Sequence, residues 1–178
     1  MIHKVFTTLF FATCLVSTAV QALTAEQTIE IVAGVMDGVI QKDNLKEIKQ
    51  CMTNVDTVTH QIEDIIKDFK SLSISGIFKG IEELGTFAAY IPVEFQQCEG
   101  IRPDIDRFSN WAKIFTHPSD LLVRLETNLP AHLNEIMVDV QAANLACDQG
   151  HFFDCGENYG EVLVLAVGQV TQTLQSIQ

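Results

Sequence analysis

The chain has 178 residues, of which 47% are apolar, 23 are acidic and 11 are basic, so its formal charge at pH 7 is −12. This apolar content is sufficient for a hydrophobic core and excludes wholesale disorder. The acidic excess, with no run of Lys or Arg, argues against nucleic acid or an anionic membrane as a partner.

The first 22 residues are predicted to be a secretory signal peptide. Lys4 supplies a basic start, residues 5–20 are uncharged and mostly apolar, and Val20-Gln21-Ala22 has the small-residue spacing that signal peptidase accepts. The apolar stretch is shorter than the roughly 20 residues that span a bilayer, so we expect no transmembrane anchor. We predict cleavage after Ala22 and a single helical domain over residues 23–178. The protein is then extracellular or lies in the lumen of a secretory vesicle.

Beyond the signal, apolar residues recur at three- and four-residue steps, which is the pattern of amphipathic helices. The predicted helices cover approximately residues 24–39, 53–70, 77–91, 103–115, 119–129, 130–147 and 152–173. Thr24 and Gln27 form a capping-box pattern, and Pro92 and Pro130 are expected to interrupt helices. The last helix is apolar on all sides from residue 162 to 167, as is typical of a buried central helix. The predicted fold is an irregular all-α bundle of six or seven helices.

Four cysteines follow the signal, and an even number in an oxidising compartment predicts two disulfides. Two helices joined by the short turn at 71–75 run antiparallel, which brings Cys51 level with Cys98. Cys147 and Cys155 flank the turn between the last two helices. We therefore favour Cys51–Cys98 and Cys147–Cys155, while the two other pairings remain open.

Three pairs of glycines lie four residues apart, inside or at the start of predicted helices. They are Gly34 and Gly38, Gly76 and Gly80, and Gly156 and Gly160. Glycine costs a helix about 1 kcal/mol relative to alanine, so a close approach of another backbone is expected to offset this loss. Tight internal packing is the favoured interpretation. The alternative is a groove or cavity for a partner chain or an acyl tail.

The order of cysteines and glycines resembles that of a known group. Cys51 opens an amphipathic helix, residues 76–85 read GIFKGIEELG, Cys98 closes the hairpin, and residues 152–161 read FFDCGENYGE. This arrangement is similar to small secreted four-cysteine helical proteins of ciliated protists. The resemblance implies a helical fold and secretion. Since that group has no established function, it implies no catalytic residue, ligand or substrate.

The sequence displays little apparatus for chemistry. Cys147, His151 and Cys155 have a spacing that could hold zinc, but cysteines on the secretory route normally oxidise, so a disulfide is favoured. Nucleophile elbows and phosphate loops are missing, and the histidines are scattered. Asn144 is expected to be a buried amide that needs partners. We therefore expect no catalytic residue, no metal and no cofactor.

These observations favour a secreted non-catalytic protein that acts by binding or assembly, as an extracellular or vesicle-content component. Its partner would be an unidentified protein or a second copy of itself. The alternative is a carrier of an apolar small molecule or lipid in a cavity between helices.

Overall fold

The structure is a computed structural model that describes residues 22–52, 55–95 and 97–169. Within these residues it is built from seven α-helices and two short 3-10 segments, with no strand, which confirms the all-α prediction. The helices are α1 (Ala25–Ile40), α2 (Leu45–Cys51), α3 (Asp56–Lys70), α4 (Ile74–Glu94), α5 (Arg102–Ala112), α6 (Pro118–Asp148) and α7 (Phe152–Val167). The 3-10 segments are Glu99–Ile101 and Lys113–Thr116.

The central element is α7, which packs along α1 and α6 and also contacts α4. Val162, Leu163 and Ala166 on this helix have no solvent exposure. The apolar stretch 162–167 predicted a central, fully buried helix. The contacts of α7 with three helices agree with a central position, but Val164 and Leu165 are only half-buried.

The helices α3 and α4 form a hairpin joined by the polar turn that the sequence predicted. The hydroxyl of Ser73 accepts a hydrogen bond from the Gly76 backbone nitrogen at 3.0 Å and so caps the start of α4. At the start of α1, Thr24 and Gln27 form the predicted capping box. Local sequence signals thus fix where these two helices begin.

Both favoured disulfides are present. Cys51–Cys98 joins the end of α2 to the segment after α4, with a Cα–Cα distance of 5.3 Å. Cys147–Cys155 joins α6 to α7 across their turn, with a Cα–Cα distance of 5.1 Å. The two bonds therefore fasten two pairs of neighbouring elements.

Two prolines predicted to interrupt helices lie inside them instead. Pro92 lies near the end of α4, and Pro130 lies within the 31-residue α6. A proline removes one backbone hydrogen bond and costs roughly 3 kcal/mol. In α6 this cost is offset because residues on both sides of the proline, such as Leu129 and Ile136, are buried in the core.

Two other details of the sequence prediction need correction, and a third falls on residues that the structure does not describe. The short helix α2 was not predicted, and it carries Cys51, which was assigned to the next helix. The last helix ends at Val167, and Gly168 after it adopts a φ of 95° outside the helical region, whereas residues 170–173 of the predicted helix lie outside the described residues. The predicted signal peptide lies outside the described residues, apart from Ala22.

Candidate functional site

Four of the six paired glycines meet where α1 crosses α7. A Cβ added at Gly34 would overlap the carbonyl oxygen of Phe153, and one added at Gly160 would lie 3.0 Å from the Cα of Gly38. One added at Gly156 would likewise overlap α1. Each helix therefore fills the groove left by the other. At these four positions the structure shows internal packing instead of a groove open to a partner.

The remaining glycine pair lies at the start of α4. A Cβ at Gly76 would lie 2.8 Å from the carbonyl oxygen of Asp68, and one at Gly80 would lie 2.7 Å from the ring of Phe69. That ring in turn stacks on Tyr159 with 4.8 Å between ring centroids. Gly80 thus makes room for an aromatic pair in the core.

Two surface grooves lie on either side of α4. The first, here called the α4–α6 groove, has a volume of about 500 Å³ and a mainly apolar lining. Its apolar lining residues are Phe78, Ile81, Phe115, Pro118, Leu121, Leu122 and Leu125, and the remaining lining residues are Ser75, Lys79 and Glu82. Phe78 is 46% exposed and Leu122 is 56% exposed, so two large side chains on facing helices remain in contact with water. This is an apolar surface that other elements of the described chain leave partly uncovered.

The second groove lies between α3 and α4 and has a volume of about 480 Å³. Its lining includes the carboxylates of Asp64, Glu82 and Glu83, and Glu82 also lines the α4–α6 groove. We call it the acidic groove. An apolar groove and an acidic groove therefore adjoin each other across one helix.

Lys79 holds the acidic groove together. Its Nζ lies 2.7 Å from Asp68 Oδ2 on α3 and 3.1 Å from Glu83 Oε1 on α4. The hydrogen bond from this ammonium lowers the pKa of Asp68, whereas burial raises the pKa of Glu83. The single cation is shared by two carboxylates, so the groove keeps an acidic character.

A separate line of carboxylates runs along the side of α1 and α7 and onto α6. This acidic seam consists of Asp37, Asp139, Glu157 and Glu161. Burial raises the pKa of each, and repulsion from neighbouring carboxylates raises it further. Across the described residues, no group of three or more His, Cys, Asp or Glu is arranged to hold a metal ion. The carboxylates of the seam therefore repel one another at neutral pH, where they are ionised.

Asn144 was predicted to be a buried amide and is half-buried instead, but its side chain makes two hydrogen bonds. Its Oδ1 accepts a hydrogen bond from the Tyr159 hydroxyl at 2.8 Å, and its Nδ2 donates to the carbonyl oxygen of Phe69 at 3.2 Å. Burial raises the pKa of Tyr159, so its hydroxyl stays protonated and remains a donor. This amide links α3, α6 and α7.

The residues considered for chemistry occupy ordinary structural positions. Cys147 and Cys155 are bonded to each other, so neither supplies a thiolate for the zinc arrangement considered with His151. The Nδ1 atoms of His60 and His132 lie near carboxylates one turn further along their own helices, at 3.5 Å and 2.9 Å. These exposed pairs are usual on helix surfaces.

Sequence analysis did not single out the α4–α6 groove. A usable signal was present on α4, because Ile74 and Phe78 are apolar but lie off the buried stripe of Ile77 and Ile81. The partner side of the groove was hidden by the expectation that residues 119–129 form a separate short helix.

Comparison with protein families identifies the chain. One family model, SctB-like (secreted protein B-like), matches residues 14–167. The chain belongs to the SctB-like family. No curated protein and no solved structure matches it. This SctB-like protein is accordingly secreted, as predicted, and the family description names no reaction.

Two other findings bear on the predictions. Among the described residues of this SctB-like protein, none of the helices has the length and apolar character needed to cross a membrane. The family description does not mention ciliate proteins, so that resemblance stays a prediction.

Proposed function

We propose that this SctB-like chain is a secreted, non-catalytic binding protein whose α4–α6 groove takes an amphipathic segment of a basic partner protein. The observation that carries the proposal is the pair of half-exposed side chains, Phe78 and Leu122, facing one groove beside the acidic groove.

The apolar half of the argument rests on exposed surface. Ile74 is 62% exposed and lies one turn before Phe78 on the same face of α4, so it extends the apolar surface on that helix. A contiguous exposed apolar surface commonly marks a binding site, because covering it releases ordered water. A volume of about 500 Å³ has room for a few anchoring side chains.

The electrostatic half of the argument favours one kind of partner over another. Glu82 and Lys79 both line the two grooves. The acidic groove adds Asp64 and Glu83 on the far side of α4, so carboxylates outnumber the ammonium group in the two linings. A second copy of the chain would bring the same formal charge of −12 to the contact. Repulsion between like charges disfavours that pairing, whereas a basic partner gains from complementary charge. A basic amphipathic segment is therefore favoured over self-association.

A lipid or other apolar small molecule is the competing occupant. In a groove whose walls include a half-exposed Phe78 and Leu122, a lipid would keep much of its surface in water. An amphipathic segment meets the same geometry with its apolar face inward and its polar face outward. The open walls thus favour the protein partner.

A fluorescence polarisation titration tests this proposal with three probes. The probes are a helical Leu/Lys peptide, a peptide with the same apolar face but Glu in place of Lys, and a fluorescent long-chain fatty acid. We expect the Leu/Lys peptide to bind at least about tenfold more tightly than the Leu/Glu peptide. Phe78→Asp and Leu122→Asp should each weaken its binding at least about tenfold, since they place a charge in the apolar contact.

Val138→Asp is the matched control. Val138 is 63% exposed on α6, and it lies roughly 24 Å along that helix from Leu122 at about 1.5 Å per residue. The proposal is contradicted if this variant weakens binding of the Leu/Lys peptide as much as Phe78→Asp does. Tight binding of the fatty acid alone, abolished by Phe78→Asp, would instead assign the groove to a carrier. A dimer that Leu122→Asp dissociates would assign it to self-association.

A further inference from the structure

The first residue after the predicted signal is held by a carboxylate from another helix. The backbone nitrogen of Leu23 donates a hydrogen bond to Glu63 Oε1 on α3 at 2.8 Å. The Leu23 side chain is partly buried against the core, whereas Ala22 before it is exposed. The chain therefore becomes fixed at Leu23 and is accessible immediately before it.

The next backbone nitrogen is already used by the helix cap. Thr24 donates to Gln27 Oε1 at 2.9 Å, and its own hydroxyl accepts from the Gln27 nitrogen at 3.3 Å. A second contact between α1 and α3 follows, where the hydroxyls of Thr28 and Thr59 lie 2.9 Å apart. Leu23 and Glu63 thus form the outermost of two links that hold the start of α1 on α3.

The surroundings of Glu63 leave its charge without a permanent cation. Within the described part of the chain, its recorded ion-pair contact is with the His60 imidazole at 3.5 Å, and that ring is charged only when protonated. The acid in the first turn of α1 is Glu26, which is paired with Lys49 at 3.1 Å. The Glu63 side chain is 31% exposed, so a fixed positive charge at Leu23 would meet a partly desolvated carboxylate.

We propose that signal peptidase hydrolyses the Ala22–Leu23 bond and that the resulting α-ammonium group of Leu23 pairs with the carboxylate of Glu63. As the C–N bond breaks, water gives its hydroxyl to the Ala22 carbonyl carbon and a proton to the Leu23 nitrogen. The free amine then takes up one more proton from solvent. Cleavage converts the Leu23 nitrogen from a neutral donor into a cation, and Glu63 already accepts a hydrogen bond from this nitrogen. Maturation therefore strengthens the α1–α3 contact. This inference is independent of the α4–α6 groove.

The first test uses the full secreted chain purified from a eukaryotic host. N-terminal sequencing should find Leu23 as the first residue. NMR titration of the reductively ¹³C-methylated α-amino group should give a pKa above the ordinary 7.7–8.0, since an adjacent carboxylate favours the charged form. In Glu63→Gln this pKa should fall back into the ordinary range.

Two matched controls separate the ion pair from general effects. Asp64→Asn removes a carboxylate next to Glu63 in the chain but on a different side of α3, and it should leave the α-amino pKa unchanged. A Gly-Ser extension placed before Leu23 leaves every native residue intact and moves the ammonium away, so it should restore the ordinary pKa even if Glu63→Gln fails to fold. Glu63→Gln should also lower Tm by about 1–3 °C more in the native-start protein than in the extended one.

Three outcomes would overturn the proposal. The first is a mature chain that begins at any residue other than Leu23. The second is an α-amino pKa that neither Glu63→Gln nor the extension changes. The third is an α-amino pKa that falls as far in Asp64→Asn as in Glu63→Gln. That result would mean that the overall negative charge of the chain, and not Glu63 itself, raises this pKa.

Discussion

α1 and α7 approach each other closely because glycines at the crossing carry a hydrogen atom in place of a Cβ. A Cβ at Gly38 would overlap the carbonyl oxygen of Glu157, which is backbone and cannot rotate away. Alanine would add about 1 kcal/mol of helix propensity at this position, but forcing the two helices apart costs typically 1–3 kcal/mol in packing. The steric term acts on both backbones at once, so we expect it to exceed the propensity gain.

We therefore predict that Gly38→Ala lowers the free energy of unfolding by about 1–2 kcal/mol, measured by urea denaturation. Gly100→Ala is the control, since no atom lies within 4 Å of its added Cβ. That variant should stay within about 0.5 kcal/mol of the parent. Equal effects from the two substitutions would show that the α1–α7 contact tolerates a methyl group.

The amide of Asn144 is a second feature that depends on single atoms. Asn144→Ala leaves the Tyr159 hydroxyl without its acceptor, and Tyr159 is only 1% exposed. We predict a loss of about 1–3 kcal/mol in unfolding free energy, because a buried donor without a partner carries its full desolvation cost.

The companion variant Tyr159→Phe keeps the aromatic stack on Phe69 and removes only the donor. The double variant should cost less than the sum of the two single variants, since both remove one shared hydrogen bond. Strict additivity in the denaturation cycle would mean that this hydrogen bond contributes nothing to stability.

Between helices, the two disulfides act through loops of different length. Their sequence separations are 47 residues for Cys51–Cys98 and 8 residues for Cys147–Cys155. Chain-entropy arguments assign about 4 kcal/mol to the longer closure and about 2.5 kcal/mol to the shorter. Replacing both cysteines of the first bond by alanine should therefore destabilise the protein more than replacing both of the second.

Guanidinium denaturation of the two double variants measures this order. Unreduced native protein should not react with an alkylating reagent at Cys51, Cys98, Cys147 or Cys155. A reversed order of stability would show that native-state strain or residual unfolded structure outweighs loop entropy. Alkylation of all four thiols would contradict the disulfides themselves.

Across the whole molecule, the excess of acid sets the response to pH. The carboxylates of the acidic seam have raised pKa values, so at neutral pH their ionised forms oppose folding. As pH falls towards their raised folded pKa values, the folded state takes up protons before the unfolded state does and becomes more stable. Asp68 has the opposite sign, because Lys79 lowers its pKa and its contribution is lost at lower pH.

We predict that Tm rises as pH falls from 7 to about 5 and then drops below about pH 4. Glu157→Gln should raise Tm at pH 7 by about 1–2 °C and reduce the rise towards pH 5, since it removes one charge from the seam. Glu126→Gln, at an exposed carboxylate of α6, is the control. It should leave nearly unchanged both the Tm at pH 7 and the rise in Tm towards pH 5. A Tm that falls steadily from pH 7 would contradict the destabilising role of the seam.

The helices and the sulfur pairing followed from short-range information. Apolar spacing, the Thr24 cap and the turn at 71–75 act over a few residues. The antiparallel hairpin that they predict favoured Cys51–Cys98, and this bond is present although Cys51 lies in α2 and not in α3. The interpretation of the glycines also needed only local reasoning up to a point. Their cost to a helix implies a close neighbour, although it does not say which neighbour.

Long-range packing decided the rest. Pro130 stays inside α6 because buried residues on both sides outweigh one lost backbone bond, and no local pattern contains that balance. Gly38 packs against α7, and Phe78 and Leu122 line one groove, because separate helices share one core. The position of Leu23 beside Glu63 has the same origin: the energies that align α1 on α3 come from contacts distant in the chain, which periodicity cannot encode.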